Sequence, residues 1–325
     1  MSHRLLTNKH TSIIDRENYV RNICLAFKGF ILLALQSLCA YELGIVTMFR
    51  NEAPYLAEWI EYHHMIGVDH FLLYNDRSDD EWAEVLEPYI KSNLVEVIDW
   101  PNFSRVCLFP NHQVAAYKDG LRRSKGNAKW LAFIDIDEFI LPKKNKKITS
   151  CLDQFFSSAA GVYICWLNFG TGGVYLNPKN PILTNLTSCS RIHHPKNSSG
   201  KSIVKVDEVE VDQLSSPHFL KLKKGSQYYN GSGLPLDFKN DELQINSTHT
   251  SDYIQINHYG MRDENYFLNV RLPRTKPQPL GEYQLELHVL LEQYKNFNLE
   301  KNYQIIKFIK NNYPSRYKEF WSKTS

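Results

Sequence analysis

From residue 41 onward, short apolar runs alternate with stretches of helical periodicity. Leu43-Gly-Ile-Val-Thr-Met-Phe49 is the first run, a buried strand by composition, and Arg50-Asn-Glu-Ala-Pro54 breaks it. A helix is predicted from about Pro54 to Ile66. Leu56, Ile60, His63 and Ile66 recur near helical spacing, Pro54 sits at the tolerated first turn, and Gly67 ends the helix. Phe71-Leu-Leu-Tyr74 predicts the second strand and Asn75 to Asp80 a turn. Residues 82–91 read as a helix, 95–98 as a strand, 113–123 as a helix and 129–134 as a fourth strand. Asp135-Ile-Asp-Glu-Phe139 stands at the C-terminal end of that strand.

Such alternation implies an α/β fold: a mostly parallel, Rossmann-like sheet flanked by helices. Ligands of these sheets bind outside the C-terminal ends of the strands. The polar clusters 50–52, 75–80 and 135–138 each follow a strand, so all three are expected to meet at one crevice. Past residue 150 the pattern loosens into a strand over 161–169, a glycine turn at Gly170, Gly172 and Gly173, and short β-like runs over 190–260. Leu287, Leu290, Leu291 and Tyr294 mark a late helix, and Ile305, Ile306 and Ile309 another. The expected organisation is an N-terminal extension over 1–40, a catalytic-type domain over 41–280 and a C-terminal helical segment over 281–325. Within the domain, 41–140 forms the nucleotide half and 141–280 a mixed β acceptor half.

Composition narrows the classes. A net charge of +3 and the lack of a long basic run give no electrostatic footprint for nucleic acid. Lys143, Lys144, Lys146 and Lys147 read as a solvated loop. The apolar stretch 23–40 is broken by Lys28, and its clean part, 29–40, is short for a bilayer span. It has the look of a signal-peptide core or a short anchor, which points to membrane association or the secretory route. Cys24, Cys39, Cys107, Cys151, Cys165 and Cys189 show no zinc-type spacing. Glycosylation triplets occur at Asn102, Asn185, Asn197, Asn230 and Asn246 and lean weakly the same way as the N-terminus.

Asp135-Ile136-Asp137 carries the chemistry. In extended backbone, residues two apart project to one side, so both carboxylates would share a hard-oxygen site suited to Mn²⁺ or Mg²⁺. A cation there can neutralise the charge that develops on a departing diphosphate. Phosphohydrolases with a D-x-D-x-T or D-x-D-x-V nucleophile motif are a rival class. Phe139 at the fifth position and three preceding strands count against them. A third class is a non-catalytic glycan or nucleotide binder on the same scaffold.

An ordered set of motifs resembles glycosyltransferase family 92 of the GT-A superfamily. The set comprises Val46-Thr-Met-Phe-Arg-Asn-Glu52, Glu58-Trp-Ile-Glu-Tyr-His63, Phe71-Leu-Leu-Tyr-Asn-Asp-Arg-Ser-Asp79, and Gln113-Val-Ala-Ala-Tyr-Lys-Asp-Gly-Leu-Arg122. It continues with Trp130-Leu-Ala-Phe-Ile-Asp-Ile-Asp-Glu-Phe139, Trp166-Leu-Asn-Phe-Gly170, Lys201-Ser-Ile-Val-Lys205, His218, and Asn257-His-Tyr259 with Arg262. The resemblance implies inverting transfer from a nucleotide sugar, often UDP-galactose, to a glycan or other hydroxyl acceptor with Mn²⁺. Asp135, Asp137 and His258 then match the metal set. Arg50, Glu52, Asn75, Asp76, Gln113 and Asp135 stand where the superfamily holds the nucleotide sugar. Inversion needs a base; of Asp207, Glu208, His218 and Asp252 in the acceptor half, His218 and Asp252 are preferred. Trp166 and Phe169 are acceptor-side candidates. Residues 176–200 have no counterpart in the family pattern, and the apolar segment is shorter than the family's usual anchor.

Overall fold

The structure is a computed structural model that describes residues 40–100, 111–175, 181–239, 242–243, 251–277 and 284–322. The apolar segment 23–40 lies outside the described residues except for Ala40. Among the described residues no helix is long and apolar enough to cross a membrane. Tyr41–Ser325 forms one compact unit.

Four strands open the sheet: β1 (Tyr41–Phe49), β2 (His70–Asn75), β3 (Val95–Asp99) and β4 (Ala128–Phe133). Helices α1 (Ala53–Met65), α2 (Trp82–Lys91) and α3 (Asn111–Ser124) connect them. β1 runs parallel to both β2 and β4, and β2 runs parallel to β3. The winding therefore reverses between β1 and β4, which places a crevice at their C-terminal ends. β1 shows why both sheet faces are covered. Leu43, Ile45 and Phe49 enter one apolar cluster with Leu56, Trp59 and Ile60 of α1. Val46 enters the other with Val114, Tyr117 and Leu121 of α3. Alternate side chains point to opposite faces of a strand, so a run buried on both faces must be largely apolar. Gly120 lets α3 lie directly on β1: a Cβ there would come within 2.7 Å of Val46.

The second half is mixed. β5 (Glu138–Pro142), α4 (Ile148–Phe155), β6 (Gly161–Asn168), β7 (Ser188–Cys189), β8 (Gly200–Lys205), β9 (Tyr228–Asn230), β10 (Pro235–Leu236), β11 (Phe238–Lys239), β12 (Glu242–Leu243) and β13 (Ile254–His258) follow. β8 pairs antiparallel with β4 and with β6, and β13 pairs parallel with β6 and antiparallel with β5. The main path runs β10-β9-β6-β8-β4-β1-β2-β3. A helical run over 264–275 precedes α5 (Leu287–Asn296), β14 (Glu300–Lys301) and α6 (Gln304–Asn312). β14 pairs with β7, and Trp321 donates its indole N–H to Glu58 at 2.9 Å, so the C-terminal segment packs onto the domain.

Several expectations change. Lys143 is half-buried and bonds to Ser251 Oγ at 3.0 Å, and burial pushes its ammonium down to about 8. Asn197 and Asn230 are buried, and their amides bond to neighbouring backbone, so these two triplets are structural. Cys151 and Cys189 are buried free thiols, and Cys165 is buried as well.

Candidate active site

The first two polar clusters meet through bonds from backbone N–H groups to side-chain oxygens. Asn51 takes the left-handed conformation (φ 56°), donates its N–H to Ser78 Oγ at 3.0 Å and accepts at its side chain from Asp79 N at 2.9 Å. Asn tolerates this conformation better than most residues. Asp80 accepts from Ala53 N at 2.8 Å. Asn75 is buried, bonding to Asp99 and accepting from Ser78 N. Asp76 lies 3.3 Å from His112 Nε2 and accepts from Arg77. Burial pushes its carboxyl up, but these two neighbours outweigh that and hold it below its usual range. Arg50 is exposed at the end of β1. Glu52 is enclosed. Burial pushes it up to about 7, opposed by Arg262, whose guanidinium lies 2.5 Å away and over the Tyr55 ring at 3.6 Å.

Asp135 to Glu138 do not continue the strand as extended backbone. They form a turn, with Glu138 N donating to Asp135 O and Asp135 N donating to Glu138 Oε2, both at 3.1 Å. The chain must reverse here, because β4 is parallel to β1 whereas β5 leaves to pair with β13. The turn separates the roles of the acids. Asp135 lies 2.9 Å from the buried Lys201 ammonium and accepts from Gln113 at 3.0 Å. Burial would lower Lys201, but the Asp135 carboxylate beside it raises it well above its ordinary value.

Asp137, Glu138 and His258 form a separate group whose candidate ligand atoms all lie within 4.8 Å of one another. Their register explains the meeting: Glu138 opens β5 directly opposite His258, which closes β13. His258 Nε2 lies 3.7 Å from Asp137 Oδ2. His258 Nδ1 donates to Asn168 Oδ1 at 2.8 Å, which leaves Nε2 as the lone-pair nitrogen. Asn168 in turn donates to Asn197 at 2.8 Å. Burial raises Asp137, but the His258 contact, Arg262 and Arg271 hold it well below the usual carboxylate range. Glu138 is fully buried and its Oε1 has no protein partner. Two carboxylates, one of them with an oxygen left over, and an oriented imidazole fit a divalent cation of the Mn²⁺ or Mg²⁺ type. Gly260 allows the backbone to pass this group: a Cβ would sit 2.8 Å from His258 Nε2. Asp135 lies outside the three-residue group.

The acceptor-side candidates divide. Trp166 is partly exposed, with its ring 4.3 Å from His258 and 5.6 Å from His218. His218 donates Nδ1–H to Gly200 O at 3.1 Å; burial and Lys201 lower its pKa. Phe169 is a core residue packed on Tyr259 at 4.5 Å, so its side chain faces no crevice. Asp252 precedes the far end of β13. It stands six residues from His258, about 20 Å at strand rise. Asp207 and Glu208 lie in a short helical turn just past β8, where Glu208 accepts from Ser226. Glu138, Lys201 and the Asn168–Asn197 relay were not among the residues singled out for the site. A lysine inside the β-rich run of β8 is the one signal that could have found Lys201, since a charge there needs a buried partner.

This arrangement is an α/β fold, a half-parallel, half-mixed sheet flanked by helices, with an acidic, imidazole-containing centre at its switch point. The chain belongs to glycosyltransferase family 92, whose family model matches residues 43–266. A glycosyltransferase family 92 protein of Oryza sativa subsp. japonica is 31% identical over 202 residues, 61% of this chain and 32% of that protein. The galactan beta-1,4-galactosyltransferase GALS2 of Arabidopsis thaliana is 33% identical over 110 residues, 33% of this chain and 21% of that protein. The chain thus matches about a third of the length of the curated family 92 relatives it resembles. Among solved structures, S. aureus TarS 1-349 in complex with UDP overlaps at a TM-score of 0.34 and 15% identity, covering 58% of this chain and 60% of that one. The family assignment rests on the sequence match.

Proposed function

We propose that this domain transfers a hexosyl group, with galactosyl the first to test, from a UDP-linked donor to a hydroxyl of a glycan or other acceptor, with inversion. The observation that carries the reading is the Asp137–Glu138–His258 group at the mouth of the β1–β4 crevice. The galactosyltransferase names among the relatives point the same way. Bound by these three residues, Mn²⁺ or Mg²⁺ would supply Lewis-acid neutralisation of the leaving diphosphate.

The chain's own groups divide the remaining work. Asp76, just past the end of β2, faces the nucleoside, and the buried Asn75 shapes the turn that presents it. Asp135, held by Lys201 and Gln113, orients the donor beside them. Trp166 offers an aromatic face to the apolar side of a sugar. His218 is the base: with Nδ1–H given to Gly200 O, its Nε2 is free to accept a proton. As it takes the proton of the acceptor hydroxyl, that oxygen attacks the anomeric carbon. The bond from this carbon to the diphosphate oxygen breaks, and its electron pair leaves with the nucleoside diphosphate. Attack opposite the leaving group inverts the centre. Asp252, at the other end of β13, is the weaker base candidate.

The test is a panel of UDP- and GDP-sugars with and without Mn²⁺, read first by thermal shift and then by nucleotide release. One donor at about 100 times its Kd should add about 2.7 kcal/mol of stability. Asp137→Ala should cut turnover at least about 100-fold with the melting temperature little changed. His218→Ala should lower kcat by about 10²–10⁴ while UDP and Mn²⁺ still bind. If no nucleotide sugar shifts the melting curve under either condition, the reading fails.

A further inference from the structure

Among the described residues, β5 pairs with a single strand, β13. Its other edge is met by side chains of α1. Trp59 Nε1 donates to Glu138 O at 2.9 Å, and Tyr62 Oη donates to Ile140 O at 2.7 Å. Ile140 N donates to His63 Nε2 at 3.2 Å. His63 Nδ1 donates to Trp59 O at 2.9 Å, which fixes the tautomer that leaves Nε2 as an acceptor. Positions i, i+3 and i+4 share one face of a helix, so the Trp-x-x-Tyr-His spacing of α1 delivers all three groups to one edge. Phe139 lies between them, with its ring 5.6 Å from His63 and 5.5 Å from Tyr62. All three α1 residues are fully buried.

An apolar face on α1 would fill the same volume. It would leave two carbonyls and one N–H of β5 buried without partners. The helix instead supplies the bonds that a neighbouring strand would supply, from side chains of fixed length. One of these bonds holds the peptide oxygen of Glu138 itself. The opposite edge sets Glu138 against His258. With both edges held, β5 can neither slip along β13 nor roll about its axis.

We infer that Trp59, Tyr62 and His63 are positioning residues for the cation group: by holding the free edge of β5 they bring the Asp137 and Glu138 carboxylates to His258. The inference rests on the cation reading proposed above. It gives the Glu-Trp-x-Glu-Tyr-His pattern of α1 a task that reaches the site without touching a ligand.

The experiment uses the full chain with Mn²⁺ alone, followed by electron paramagnetic resonance, together with amide exchange at Ile140 in cation-free protein. Tyr62→Phe and His63→Leu should each weaken Mn²⁺ binding about tenfold or more and speed exchange at Ile140. His63→Gln, whose side-chain oxygen can accept at the place of Nε2, should restore most of both. Tyr62→Phe removes one oxygen and keeps the readout available if His63→Leu does not fold. Variants that exchange faster or melt lower yet bind Mn²⁺ like the parent would overturn the inference and leave the cation reading standing. A parent protein that binds no Mn²⁺ would remove both.

Discussion

Lys201 holds Asp135 on its own side of the turn that separates the two aspartates. It is 1% exposed, and its ammonium lies 2.9 Å from the Asp135 carboxylate. Removing one partner of a buried pair leaves the other uncompensated, which typically costs about 3–5 kcal/mol. Asp135 is 35% exposed at its side chain, so water screens part of that loss. Lys201→Met should therefore destabilise the domain by about 2 kcal/mol in urea unfolding. The double variant Lys201→Met with Asp135→Asn should recover part of it; a single variant as stable as the parent would show that the pair does not hold the turn. The acid pair was visible in the sequence because its spacing and its place after a strand carry meaning. Its division of labour was not. Two-residue spacing predicts shared direction only in extended chain, and this chain turns at that point.

Within α1, Glu58 links three elements. Its carboxylate accepts from Ile182 N at 2.7 Å, Leu183 N at 3.1 Å and Trp321 Nε1 at 2.9 Å. Burial pushes it up to about 7 from 4.5, and the three bonds pull back only part of that shift. A folded pKa above the unfolded one means that the folded state holds the proton more tightly. Stability from this group is present below about pH 4.5 and is lost as pH rises through about 7. The shift corresponds to about 3 kcal/mol between those limits. His63 runs the other way: burial lowers it to about 3, so its contribution is lost as pH falls below 6.5. The total pH profile mixes both signs. Comparing the parent with Glu58→Gln separates them: the difference in unfolding free energy between the two should change by about 2–3 kcal/mol from pH 5 to pH 8, in favour of Glu58→Gln at the higher pH. A constant difference would mean that Glu58 is already solvated or already ionised in the fold. The helix itself was readable from Pro54, Gly67 and the apolar spacing. That its polar residues point inward was not, because a polar pattern ordinarily marks a solvated face.

Across the whole domain, the residues around Trp321 are tied to helix α1. Trp321 is 1% exposed and bonds to Glu58, and Arg316 pairs with Glu61 of the same helix. Trp321→Ala should cost about 3–5 kcal/mol, the usual range for deleting a buried aromatic, and lower the melting temperature with it. A loss below about 1 kcal/mol would mean that the C-terminal segment is a passive tail. The parallel half of the sheet followed from the chain alone. Runs buried on both faces, separated by helical periodicities and ended by polar turns, permit few other arrangements. The α/β class and the crevice at the strand ends came from the same pattern. Those features depend on residues near one another in sequence. The Asp137–Glu138–His258 group does not. It joins residues 137 and 138 to residue 258, and it exists because two strands pair in one register while a helix holds the free edge of one of them. Local propensity carries no information about which distant strand a segment will meet, so only the packed fold decided which carboxylates and which imidazole would come together.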